Sequence, residues 1–140
     1  PMGVVAVISP WNFPIATASW KIAPALAFGN AVIWKPANLT PASAVALTEI
    51  IARQDMPAGL FNLVMGAGRE IGQKLVESPR LDAISFTGSV PVGRGIAAAA
   101  GLGQRPSGNL LAGSQLGNKP LALLFAAKAL DGAGAQRNVG

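Results

Sequence analysis

Ser9-Pro10-Trp11-Asn12-Phe13-Pro14 closes a run of small, mostly branched residues, Val4 to Ile8, at a point where a core has no use for an amide. Two roles are open to Asn12. Its side chain can cap a helix that begins near Pro14. It can also donate outward: an amide fixed at a strand end is the donor an oxyanion hole uses, worth about 3–4 kcal/mol of barrier. Lys35 ends a second apolar run, where a charge is costly unless paired or wet. It either snorkels at the strand end or donates to a ribose or phosphate, with Asn38, three residues on, sharing that site. Gly66-Ala67-Gly68-Arg69-Glu70-Ile71-Gly72 has one residue more than the GxGxxG fingerprint, so a dinucleotide turn and a plain bend before a closely packed helix both fit. Gly88 to Gly93 has the spacing of a phosphate loop, but Arg94-Gly95 replace the Lys and Ser/Thr that a Walker motif needs. Its N–H groups at the start of a helix still make an anion seat.

What is missing narrows the chemistry. With no cysteine and no histidine, the chain has no thiol nucleophile, no thiolate metal site, no disulfide and not the usual general base. The formal charge is +5, but the basic residues are scattered singly from Lys21 to Arg137, which argues against nucleic acid as a partner. The excess reflects missing acids, since Asp131 is the only one after Asp82. No apolar run reaches the ~18–20 residues of a membrane span. With no charged leader and cleavage site either, a cytoplasmic protein without membrane contact is expected. In 140 residues, 51% are hydrophobic and 12% charged. Some of that apolar surface is expected to meet another part of the protein or a partner.

The elements that would position these residues alternate. Val4 to Ile8 reads as a strand buried on both faces. Pro14 to Phe28 suits a helix stopped by Gly29-Asn30, with Pro24 predicting a kink or an early end. Ala31 to Trp34 is a second strand. Thr40-Pro41 is a helix start, and Ala42 to Arg53 carries apolar residues at Ala42, Val45, Ala46 and Ile50. Leu60 to Val64 is a third strand, Gly66 to Gly68 a bend, and Glu70 to Glu77 a helix with Ile71 and Leu75 on one face. Ala83 to Phe86 is a fourth strand, Thr87-Gly88-Ser89 a bend, and Val92 to Ala100 a helix. This order predicts an α/β fold, a parallel sheet with crossover helices on its faces. Ligands of such sheets sit beyond the carboxyl ends of the strands. Four stretches lie there, at Ser9–Asn12, Lys35–Asn38, Gly66–Gly68 and Thr87–Ser89.

The stretch PMGVVAVISPWNFPIATASWKIAPALAFGNAVIWKPANLTPASA, with MPAGLFNLVMGAG and AISFTGS after it, resembles the coenzyme-binding region of the aldehyde dehydrogenase superfamily. In overall look it is most similar to the branch that oxidises α-ketoglutarate semialdehyde. The resemblance covers Pro1 to about Ala100 and implies a Rossmann-like domain, here partial, that binds NAD or NADP. It implies an aldehyde substrate and a homo-oligomer in the complete enzyme. Asn12 matches the family's oxyanion-hole asparagine. Ile8, Ser9, Pro10 and Trp11 match the backbone path along the nicotinamide side. Lys35 matches the lysine on the adenosine ribose, with Ala37 and Asn38 beside it, and Gly68 and Gly72 match glycines near the adenine. Ser89 matches the serine on the pyrophosphate, and Phe86, Thr87 and Gly88 complete that strand end.

The sequence departs from the family in three places. Asn38 stands where many members carry a glutamate that repels a 2′-phosphate, so NADP is expected to be tolerated. Gln115-Leu116-Gly117-Asn118-Lys119 is the nearest echo of the family's Glu-Leu-Gly-Gly-Lys, which puts a glutamine at the position of the general base. No cysteine nucleophile is present, so this chain alone is expected not to turn over aldehydes. Residues 101–140 match the pattern poorly; their apolar run allows a last strand or helix of the same domain. A truncated or frame-disturbed reading of a longer gene and a true divergence of the tail both account for this, and Pro1 leading straight into a strand pattern fits a fragment. A non-catalytic nucleotide-binding module or an inactive remnant are the competing readings.

Overall fold

In the computed structural model, residues 1–99, 114–116 and 119–127 are described. Strand β1 (Val4–Ile8) leads into helix α1 (Ala16–Ala27), β2 (Ala31–Lys35), α2 (Pro41–Ala52) and β3 (Phe61–Leu63). A π-helical turn, Gly68–Gly72, runs into α3 (Gln73–Glu77), followed by β4 (Ala83–Ser89) and α4 (Val90–Ala99). Two further strands, β5 (Ser114–Leu116) and β6 (Lys119–Ala127), complete a sheet ordered β3-β2-β1-β4-β6-β5.

The first four strands are parallel, as short β-branched runs with helical crossovers require. The sheet then continues antiparallel, since β6 pairs with β4 from Ala83↔Ala127 to Ser89↔Leu121, and β5 with β6. The apolar run after Pro120 is therefore a strand.

Alternate residues of the strands feed two cores. Val5, Val7, Val32 and Trp34 pack with Ala18, Ile22 and Ala44 of α1 and α2 on one face. Ala6, Ile84 and Phe86 pack with Ile96 of α4 and with Leu75 and Val76 of α3 on the other. Helices thus cover both faces. The chain moves outward from β1 to β3 and returns to β4 on the far side of β1, which puts the topological switch between β1 and β4.

Several local expectations shift. Helix α1 starts at Ala16, preceded by Ile15, so Asn12 caps nothing. It runs past Pro24 and ends on a Schellman motif, with the N–H of Gly29 (φ +77°) donating to Leu26 O at 2.9 Å and that of Asn30 to Ala25 O at 3.0 Å. Thr40 and Pro41 do open α2, but the Thr40 hydroxyl makes no capping bond. Ala42, Val45, Ala46 and Ile50 face outward, and Ala44, Leu47 and Ile51 face the core. That helix carries apolar residues on both its faces, so their periodicity gives no direction. Thr87-Gly88-Ser89 is no bend: β6 offers a pairing edge that extends β4 through Ser89.

The single charge of α1, Lys21, points inward at 3% exposure, whereas Trp20 (67%) and Phe28 (75%) lie outside. The apolar surplus of the composition is on show there. Among the described residues no helix is long and apolar enough to cross a membrane, and no cluster of His, Cys, Asp and Glu is placed to hold a metal.

Candidate functional site

The carboxyl ends of β1, β2 and β4 and the helix after β3 open on one cleft of about 770 Å³. From β1 come Ile8, Ser9 and Pro10, and from β2 Lys35, Ala37 and Asn38. The π-turn gives Gly68 and Gly72, and β4 gives Phe86, Thr87, Gly88 and Ser89. Every residue expected on the cofactor except Trp11 therefore meets in a single space. Trp11 is 58% exposed and Asn12 half-buried, and neither belongs to the lining. They lie just beyond it along the chain, past Pro10.

The bend that precedes the π-turn depends on Gly66. Its φ is +147°, and a side chain there would collide with Cγ1 of Ile71. The residue in excess of the GxGxxG spacing is accommodated in the wider π-helical turn, Gly68–Gly72. Gly68 faces open space, and Gly72 lies against the Lys35 stem, where a Cβ would be 3.8 Å from Lys35 Cδ.

Lys35 itself is 4% exposed, and its Nζ donates to Pro36 O at 2.9 Å. Burial lowers its pKa from the ordinary lysine value. An anionic or hydroxyl-bearing ligand would give this ammonium a second partner beside the Pro36 carbonyl. Thr87, also in the lining, has a buried Oγ1 with no hydrogen-bond partner among the described residues. These are donors and acceptors waiting at strand ends, and the rest of the lining suits a flat ring.

That remainder was not foreseen. Val92, Ile96 and Ala99 of α4 and Val76 of α3 supply apolar lining to the cleft. Arg69, Gln73 and Glu77 form a second row at spacings of four along the π-turn and α3, with Gln73 Nε2 donating to Glu77 Oε1 at 2.8 Å. The signal was present as helical period: Ile71 and Leu75 mark the inner face, which leaves these rows on the cleft side. An apolar slot between two helices with polar strand ends at its floor fits a nucleotide, its base between the walls and its ribose and phosphates along the floor.

A family model described as "Aldehyde dehydrogenase family" matches residues 1–116. Among solved structures, an NAD-dependent benzaldehyde dehydrogenase from Corynebacterium glutamicum is 49% identical over 71% of this chain and 22% of its own, with a TM-score of 0.67. An aldehyde dehydrogenase from Brucella melitensis biovar abortus 2308 is 46% identical over 71% of this chain and 20% of its own, TM-score 0.69. An aldehyde dehydrogenase from Bacillus cereus, solved as an NAD+ complex, is 38% identical over 73% of this chain and 21% of its own, TM-score 0.71. The chain thus spans about a fifth of the length of these proteins.

Proposed function

The chain belongs to the aldehyde dehydrogenase family, and we propose that it forms the coenzyme-binding part of an NAD(P)-dependent enzyme that oxidises an aldehyde to its carboxylic acid. One observation carries this reading: residues from four separate strand-to-helix connections converge on one cleft with a polar floor and apolar walls. Lys35 and Asn38 would take the adenosine ribose, the backbone about Gly68 and Gly72 the adenine side, and Ser89 at the head of α4 the pyrophosphate. Ile8, Ser9, Pro10 and Trp11 would guide the nicotinamide end. When bound, the nicotinamide supplies a hydride acceptor. Asn12, half-buried just past the lining, would turn its amide toward the oxygen of the aldehyde and stabilise the negative charge developing there.

This chain by itself would bind the cofactor without turnover. It carries no cysteine, and Gln115, paired through its backbone with Pro120 between β5 and β6, stands at the position expected for the base. A glutamine side chain takes no proton from water at neutral pH. Asn38 leaves the ribose end without a carboxylate, which favours tolerance of NADP. The sequence likeness to the α-ketoglutarate semialdehyde branch favours a semialdehyde as substrate. The exposed Trp20 and Phe28 support a homo-oligomer in the complete enzyme, and a cytoplasmic location accords with the same family reading.

Thermal unfolding of the 140-residue chain with and without NAD or NADP tests the proposal. A ligand at about 100 times its Kd adds about 2.7 kcal/mol and raises Tm by several degrees. A cooperative melt that neither nucleotide moves would overturn the reading.

A further inference from the structure

Trp34 lies on the sheet face covered by α1 and α2, whereas the cleft opens toward α3 and α4. It is wholly buried, and its Nε1–H donates to Ser9 Oγ at 2.9 Å. Ser9 is itself 4% exposed, and its N–H donates to Lys35 O at 3.3 Å. The residue at the exit of β1 is therefore held by β2 through both its main chain and its side chain. A phenylalanine would fill most of the tryptophan's volume and leave the hydroxyl without this donor. Buried indole N–H groups need a partner, and here the partner is a residue of the cleft lining.

The other end of the same segment is also tied. Phe13 O accepts from Thr17 N at 3.0 Å and from Thr17 Oγ1 at 2.8 Å. Phe13 has φ +55°, a left-handed conformation that a bulky residue keeps only when its surroundings hold it there. Pro10, Trp11 and Asn12 span the gap between these two anchors.

We propose that Trp34 is a positioning residue for cofactor binding. Through Nε1–H it fixes Ser9 and hence the path of Ser9–Asn12 along the cleft mouth, acting from the opposite side of the sheet. This rests on the reading of the cleft as a dinucleotide site. A role in core packing alone would couple Trp34 to stability; a positioning role couples it to affinity through one atom of Ser9.

A double-mutant cycle separates the two. NAD dissociation constants are measured by equilibrium dialysis at low temperature for the parent chain, Trp34→Phe, Ser9→Ala and the double variant, with Tm recorded for each. Each single change is expected to weaken binding about three- to tenfold, the scale of one buried hydrogen bond, and the double no further than the weaker single. A Trp34→Phe chain that melts lower but binds NAD within twofold of the parent overturns the proposal, as do losses that multiply in the double variant. If Trp34→Phe does not fold, Ser9→Ala decides: unchanged affinity overturns the proposal and a three- to tenfold loss supports it. A parent chain that binds neither NAD nor NADP removes the dinucleotide reading itself, a result distinct from any of these.

Discussion

The ring of Phe86 lies directly against Gly88, so that a methyl group built on Gly88 would collide with Phe86 Cζ. Phe86 is 4% exposed and belongs to the core between the sheet and α4, yet its ring also borders the cleft. The absent side chain at residue 88 is what lets an aromatic ring lie along the strand at the cleft floor. Gly88→Ala is therefore expected to push the ring off its rotamer, at about 1–3 kcal/mol of stability, and to narrow the floor. Calorimetric titration with NAD should show an affinity several-fold weaker. An unchanged Kd would mean that the ring yields at no cost to the site.

Asn30 ties the N-terminal segment to the end of α1. At 5% exposure, its Oδ1 accepts from Met2 N at 2.5 Å and Gly3 N at 3.1 Å, and its Nδ2 donates to Ala25 O at 2.9 Å. Asn30→Ala strands these partly buried groups together, an expected loss of about 2–3 kcal/mol. Urea unfolding should show the midpoint fall at constant m. Asn30→Asp keeps the acceptor and should recover part of the loss.

The sequence revealed the parallel strands and the strand-end residues because both depend on local signals: short β-branched runs, and glycine, proline and amide residues where the runs stop. Twelve of the thirteen expected cofactor residues line the cleft. The outer face of α2 is illegible because Ala and Ile occur on both its sides, so burial is decided by the sheet rather than by the helix. The extension of β4 through Ser89 depends on β6, more than thirty residues later. No local pattern in Thr87-Gly88-Ser89 could announce that partner. The row Arg69, Gln73 and Glu77 is legible only as the face opposite Ile71 and Leu75; nothing in these polar residues themselves says whether that face meets a cleft or open solvent.

Lys21 gives the fold a dependence on alkaline pH. Burial pushes its ammonium down to about 8, with Thr17 O accepting from Nζ at 2.9 Å. Below that pH the folded and unfolded chains both hold the proton, and the folded state bears the full cost of the buried charge. Between about 8 and 10.5 the folded chain has shed a proton that the unfolded chain still binds, so stability rises with pH. The rise attributable to Lys21 is roughly 3 kcal/mol. Lys35, displaced in the same direction by burial, adds to it. Lys21→Met should raise Tm at pH 7 and flatten most of the slope above pH 8, as read from melts at fixed ionic strength. A slope equal to the parent's would assign the titration elsewhere.

Discrimination between NAD and NADP should turn on Asn38. It is exposed at the cleft rim beyond Lys35, and Arg69 lies on the same lining. Glu77 is two helical turns from Arg69, and one of its oxygens is engaged by Gln73. On the reading of this cleft as a dinucleotide site, a 2′-phosphate at the ribose end would lie by the Lys35 ammonium and the neutral amide of Asn38. Asn38→Glu places a carboxylate there. At about 5 Å in a largely aqueous setting, each pair of unit charges repels by about 1 kcal/mol, and a 2′-phosphate monoester carries between one and two charges. The variant should bind NADP about tenfold more weakly than the parent, with NAD affinity held or improved through the ribose hydroxyl. Competition dialysis of the two nucleotides at 0.15 M salt measures that ratio directly. A parent that already excludes NADP, or a variant with an unchanged ratio, would place the discrimination at residues other than Asn38.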